Sequence, residues 1–162
     1  MSKNRKSRGV RNNNPLNIRY VRKNNWQGRV EHKTDANFEE FRKMSFGYRA
    51  AFMLLHKYIG LYNLHTIYDI VSRWAPTGDG NDVVSYANLV SFKTQYPLFG
   101  NVQWTDYRFM IRMAVAMAEV ENGVYMSCIP AAEGYISAAK VLGYESIALE
   151  ATEYYNSLIA TP

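Results

Sequence analysis

This chain of 162 residues has one cysteine, Cys128. No intramolecular disulfide can form, and nothing points to a disulfide-stapled secreted fold. Its three histidines, His32, His56 and His65, lack metal-ligand spacing, and a single cysteine is too few for a zinc knuckle. There is no glycine-rich phosphate loop and no nucleophile-elbow pattern. Metal and nucleotide chemistry are therefore set aside, and no cofactor is implied. No apolar run approaches membrane-spanning length, so no membrane span is expected. None follows the opening Met1-Ser2-Lys3-Asn4-Arg5-Lys6 either, so no secretory signal of the usual form is expected.

Acids are scarce near the N-terminus. Residues 1 to 33 hold ten of the nineteen Lys and Arg against one acid, Glu31, whereas the remainder holds nine bases and thirteen acids, a balance of −4. A basic arm on a mildly acidic body suits a polyanionic partner: nucleic acid, an anionic cell wall or an acidic protein surface. Residues 1 to 9 read as a basic, disordered arm, and residues 10 to 162 as one domain. Nucleic acid ranks lowest among the partners, because the arm is short and the body downstream is acidic.

What is present is aromatic and periodic. Thirteen tyrosines and three tryptophans raise the aromatic content to 14% within an ordinary 48% hydrophobic composition. Ile18-Arg19-Tyr20-Val21, residues 26 to 31 and Phe38-Glu39-Glu40-Phe41 read as short strands of a small, weak sheet. From Ser45, a candidate cap, Tyr48, Ala51, Phe52, Leu55 and Ile59 recur at helical spacing, and Gly60 stops the run. Further helices are expected over residues 64 to 74, ended by Pro76, and 83 to 92, capped by Asp82. Another runs from Thr105 to a stop at Gly123, and two more cover 130 to 141 and 144 to 159. The chain thus reads as α+β, mostly α, with a minor β region near the N-terminus.

Three segments carry candidate chemistry. In Arg11-Asn12-Asn13-Asn14-Pro15-Leu16-Asn17-Ile18-Arg19-Tyr20, followed by Trp26-Gln27-Gly28, carboxamides could match sugar hydroxyls or N-acetyl groups and aromatic faces could cover a sugar ring. The same residues also make good turns, so structural and ligand-binding readings start level. Glu121 falls in the last turn of the longest helix, in Glu119-Val120-Glu121-Asn122-Gly123, where the negative end of the helix dipole disfavours an ionised carboxyl and raises its pKa. That is what a general acid acting on a glycosidic oxygen needs. Glu119 points to a different face and is the control. In Arg73-Trp74-Ala75-Pro76 with Asn81-Asp82, Trp74 reads as a core anchor and the role of Arg73 stays open.

With these motifs named, the chain resembles a family of phage virion-associated, lysozyme-like proteins, some structural and some peptidoglycan-cleaving. The match rests on Arg11 to Pro15, Asn17-Ile18-Arg19, Trp26-Gln27-Gly28, Phe38 with Phe41, Gly47 with Arg49-Ala50, Arg73-Trp74-Ala75-Pro76, Asn81-Asp82 with Tyr86, and Glu121-Asn122-Gly123. It spans about residues 9 to 125. Leu16 stands where the family's pattern usually has Gly, and Val120 where it often has His. The segment from Asn17 to Phe41 also looks like the sheet region of cell-wall glucosaminidases. Glu121-Asn122-Gly123 looks like the Glu-Ser-Gly helix end of lytic transglycosylases.

The resemblance implies a lysozyme-like helical domain in circularly permuted order. It also implies a peptidoglycan-cleaving glycosidase, muramidase or lytic transglycosylase, carried in a phage particle or encoded by a prophage and acting at the bacterial cell wall. Glu121 is then the general acid, and Asn13, Asn14, Asn17, Tyr20, Trp26 and Arg73 are the substrate contacts. Asp35, Glu39 and Asp82 are candidates for a second carboxylate. The expected partners are peptidoglycan glycan strands and other virion proteins. The alternatives are a non-catalytic virion structural or wall-binding protein on the same scaffold and, last, a nucleic-acid-binding module.

Overall fold

The computed structural model describes residues 5–160, and every regular element among them is helical. The helices are α1 (Arg8–Arg11), α2 (Met44–Gly60), α3 (Ile67–Trp74), α4 (Val83–Thr94), α5 (Tyr107–Asn122), α6 (Cys128–Val141) and α7 (Glu145–Ala160), with one 3-10 turn at Thr77–Asp79. Four helix starts are set by side chains accepting a hydrogen bond from an otherwise unpaired backbone N–H of the first turn. Thr66 accepts from Asp69, Asp82 from Ser85, Asp106 from Phe109 and Ser127 from Ile129. The Thr66 cap begins α3 later than the hydrophobic spacing alone suggested. Ser45 does not cap α2, which begins one residue earlier, after Lys43, without a side-chain cap. Gly123 ends α5 at φ 67°, a left-handed conformation in which a Cβ would be strained.

Helix α5 is the centre of the body. Met110, Ile111, Met113, Ala114, Met117 and Ala118 are fully buried, so neighbours cover more than one face of it, as expected for a helix that is apolar nearly all round. Helix α4 packs on one side and α6 on another, and α6 in turn packs against α2 and α7. The α2–α6 crossing is close because Gly134 has no side chain there. A Cβ at this position would lie 2.7 Å from the Arg49 nitrogen and 2.8 Å from the Ser45 carbonyl oxygen. Trp104 closes the far side, stacked on Tyr135 at 4.6 Å between ring centroids and donating from Nε1 to the Phe52 carbonyl at 3.0 Å.

The small N-terminal β region expected from the sequence is absent, and with it the α+β assignment. The described residues form an all-helical protein with no sheet. Where strands were expected, only two isolated antiparallel bridges occur, Arg19 with Phe38 and Arg29 with Phe41. The physical reason lies in the backbone and in what its side chains do. Asn13, Asn17 and Gly28 adopt positive φ (50°, 51° and 79°), which turns the chain before a ladder can propagate. Side chains then tie down the irregular segment instead. Asn14, fully enclosed, donates to the carbonyls of Ile18 and Glu39 at 2.9 and 3.0 Å and accepts from the Ile18 N–H at 2.9 Å. Glu39, also fully enclosed, accepts two hydrogen bonds from the Arg29 guanidinium at 2.6 and 2.7 Å.

Of the basic arm expected over residues 1 to 9, residues 1–4 lie outside the described residues. Ser7 donates to Asn122 Oδ1 at 2.7 Å, and Gly9 is buried where a Cβ would run into that same asparagine.

Candidate active site

The last turn of α5 and the asparagine-rich segment meet at consecutive residues. Asn122, 9% exposed, donates from Nδ2 to the Pro15 carbonyl at 2.8 Å and to the Ala118 carbonyl of its own helix at 2.8 Å. One residue earlier, Glu121 accepts from Asn17 Nδ2 at 3.0 Å on Oε2 and from the Tyr86 hydroxyl at 3.2 Å on Oε1. The indole of Trp74, at the end of α3, donates to the Leu16 carbonyl at 3.0 Å. Residues 15–17 are thus held by α3 on one side and α5 on the other. Leu16 itself is fully buried.

Above this junction lies a groove of about 450 Å³, with Asn17, Glu121, Arg73, Trp74, Tyr58 and Asn81 among its walls. Burial lifts the Glu121 carboxyl above its ordinary pKa. The hydrogen bonds from Asn17 and Tyr86 favour the charged form and offset this only in part. Tyr86 is 7% exposed, and burial together with the neighbouring Glu121 pushes its phenol well above the ordinary value, so it stays protonated and available as a donor. The arrangement is chemically two-sided. Burial favours the protonated acid, while two fixed donors favour the carboxylate it becomes after giving up its proton.

The residues singled out from sequence divide by position. Glu121, Asn17 and Arg73 share the groove. Asn13, Asn14, Tyr20 and Trp26 do not line it. Asn13 donates to the Phe41 carbonyl at 3.0 Å, and Asn14 is buried in the backbone bonds described above. Tyr20 lies under Arg29 and Lys33, at 5.1 and 4.6 Å from its ring centroid. Trp26 is half-buried against the core, its Nε1 without a hydrogen-bond partner among the described residues.

None of the three candidate second carboxylates lines the groove. Glu39 is bonded to Arg29. Burial works against the charge of Asp35, but hydrogen bonds from Asn12, Asn37 and Phe38 hold its carboxyl below the ordinary value, with Arg8 3.5 Å away. Asp82 caps α4, and the bonds from Ser85 lower its pKa. The control residue Glu119 pairs with Lys93 at 3.8 Å, away from the groove.

No known family model matches the chain. It is similar to Protein P5 of Pseudoalteromonas phage PM2, 38% identical over 122 residues that cover 74% of this chain and 74% of that protein. The chain belongs to the family of this phage protein. Similarity over that length of both chains reaches well beyond any single motif, so the family membership concerns the body of the protein and not one short site.

Within this phage-protein family member, the site holds residues that the sequence reading did not rank. Tyr86 was noted only for its spacing after Asn81-Asp82. Its hydroxyl reaches Glu121 because α4 packs against α5, and no sequence period encodes that crossing. Asp79 is the second acid on the groove wall, 3.8 Å from Arg19. It sits in the 3-10 turn after Pro76, a segment that reads locally as a plain loop. Among the described residues no group of three or more His, Cys, Asp or Glu could hold a metal ion. Nor is any helix long and apolar enough to cross a membrane.

Proposed function

We propose that this phage-family protein is a peptidoglycan-directed glycosidase, a muramidase or lytic transglycosylase, carried in the virion and acting at the bacterial cell wall, with Glu121 as general acid. The observation that carries the reading is the Glu121 carboxyl itself. It is half-buried, its pKa is raised by that burial, it is bonded by Asn17 and Tyr86, and it borders an open groove with aromatic and amide walls. Asn17 and Arg73 are the substrate contacts this geometry favours. The half-buried ring of Trp74 is fixed by its bond to Leu16 and offers an aromatic surface for a sugar.

In the proposed step, Glu121 gives its proton to the glycosidic oxygen as the bond from the anomeric carbon to that oxygen breaks, the electron pair leaving with the oxygen. Positive charge develops on the sugar ring. Asn17 and Tyr86 stabilise the carboxylate formed, and that carboxylate then accepts a proton from the attacking water or from a hydroxyl of the same sugar. The second route needs no separate carboxylate nucleophile. It suits a groove in which Asp35, Glu39 and Asp82 take no part and Asp79 is paired with Arg19.

Purified peptidoglycan is the test substrate. Wild-type protein is expected to release soluble muropeptides and clear a zymogram, Glu121→Gln to do neither, and Glu119→Gln to match wild type. Release of muropeptides at the wild-type rate by a folded Glu121→Gln protein would refute the assignment. A second reading, a virion structural or wall-binding protein on the same scaffold, draws on the pairing of Asp79 with Arg19, which leaves Glu121 the groove's only acid outside an ion pair among the described residues. It predicts co-sedimentation with the wall and no release of fragments.

A further inference from the structure

Helix α2, the turn that follows it and helix α3 bring three aromatic rings into a row. Trp74 and Tyr58 meet edge-on at 5.6 Å between centroids, and Tyr58 and Tyr62 follow at 6.1 Å. The Arg73 guanidinium lies 4.0 Å from the Tyr62 centroid and 5.3 Å from that of Tyr58, and the Lys57 ammonium lies 5.7 Å from Tyr62. Tyr58, Arg73 and Trp74 belong to the wall of the groove that contains Glu121.

No carboxylate of the described residues is within ion-pair distance of Arg73 or Lys57. This distinguishes Arg73 from the other arginine of the groove, Arg19, which faces Asp79 at 3.8 Å. Arg73 is held against the two rings by cation–π attraction and by an interaction with the Tyr58 hydroxyl, and its remaining N–H groups can bond a planar anion. Fixing the side chain beforehand lowers the entropy lost when such an anion binds. The neighbouring ammonium adds charge of the same sign. Arg73 on the wall of the groove and Lys57 near the same Tyr62 ring, neither within ion-pair distance of a carboxylate among the described residues, match a ligand that brings its own carboxylate.

We propose that Arg73, shelved on Tyr58 and Tyr62 with Lys57 beside it, forms a carboxylate-binding subsite that takes an acidic side group of a peptidoglycan strand lying in the groove. The inference rests on the reading that the groove binds glycan, and it adds that the protein selects acidic strands over neutral ones. Two sources supply this chemistry on a wall strand, the lactyl carboxylate of muramic acid and the carboxylates of a stem peptide.

Equilibrium binding to the Glu121→Gln protein, which separates recognition from turnover, tests the proposal with three soluble oligosaccharides of equal length. One is a neutral N-acetylglucosamine oligomer, the second a wall glycan with free lactyl carboxylates, and the third a wall glycan carrying stem peptides. At least one acidic glycan should bind about tenfold more tightly than the neutral oligomer, which corresponds to ~1.4 kcal/mol. The glycan that gains identifies the source of the carboxylate. Adding Arg73→Gln should remove the gain, so that acidic and neutral oligomers bind alike, whereas Arg73→Lys, which keeps the charge but not the planar fork, should retain part of it. Equal binding of all three glycans, or a gain that survives Arg73→Gln, overturns the subsite and leaves the glycan-binding groove standing. Failure of every glycan to bind overturns both.

Discussion

Replacing Glu121 by glutamine separates the chemistry of the site from its architecture. Each carboxyl oxygen of Glu121 has one donor, Asn17 Nδ2 at 3.0 Å and the Tyr86 hydroxyl at 3.2 Å. A carboxamide has only one oxygen, so one of these contacts must reverse. Asn17 Nδ2 is a donor only and keeps the oxygen. The Tyr86 hydroxyl can accept from the new amide nitrogen, because the Met117 carbonyl, 3.4 Å away, can take its proton. The fold should therefore lose no more than about 1 kcal/mol, the net worth of one ordinary hydrogen bond.

The pH dependence moves the other way. Because the folded carboxyl titrates above its ordinary value, the folded protein holds a proton that the unfolded chain has already released. Wild-type stability from this group is complete at low pH and falls as pH rises from the ordinary carboxyl range through the raised value. The glutamine variant lacks that decline, so its stability relative to wild type should improve with pH across that window. Turnover, in contrast, should drop by about 10²–10⁴-fold, the usual contribution of a positioned general acid. That is about 3–5 kcal/mol of barrier. Urea denaturation followed by tryptophan fluorescence at several pH values, alongside muropeptide release, reads both effects. A folded variant with wild-type turnover would sink the general acid. A stability difference that does not change with pH would sink the raised carboxyl.

Tyr86→Phe removes a donor to the carboxylate, so the descending limb of the pH–rate profile should move to higher pH; a limb that stays put or moves down contradicts the proposed role. Asn14→Ala leaves the Ile18 N–H and the Glu39 carbonyl without the side chain that pairs them, the Ile18 carbonyl keeping the Glu39 N–H, and should cost at least about 2 kcal/mol in urea denaturation. A loss below ~1 kcal/mol would show that Asn14 is not a structural tie. Tyr48 is fully buried and its hydroxyl has no hydrogen-bond partner among the described residues, so Tyr48→Phe should raise stability by roughly 1 kcal/mol. A lowered Tm would contradict that accounting.

The helices were legible because their signals are local. Asp82, before an apolar run, caps α4 as expected, and Gly123 closes α5 as expected. The N-terminal region was misread for a related reason. Ile18 to Val21 and Phe38 to Phe41 have the composition of strands, but strands need partners in register, and the positive φ at Asn13, Asn17 and Gly28 leaves two single bridges in place of a ladder. The asparagines could not be sorted from sequence at all. Asn14 and Asn17 are chemically the same, yet one is sealed among backbone groups and the other faces Glu121.

What the chain's own residues determine is where most helices begin and end, which faces are apolar, and that an acid sits in the last turn of α5. Those properties follow from backbone sterics, capping and the 3.6-residue period, all of which act within a few positions. Only the tertiary structure decides that Tyr86 reaches this acid from α4, that Asn122 and Trp74 hold the asparagine-rich segment beside it, and that Arg73 has no counter-ion among the described residues. Each depends on packing between elements distant in the chain, where burial and the pairing of polar groups select one arrangement that no local pattern specifies.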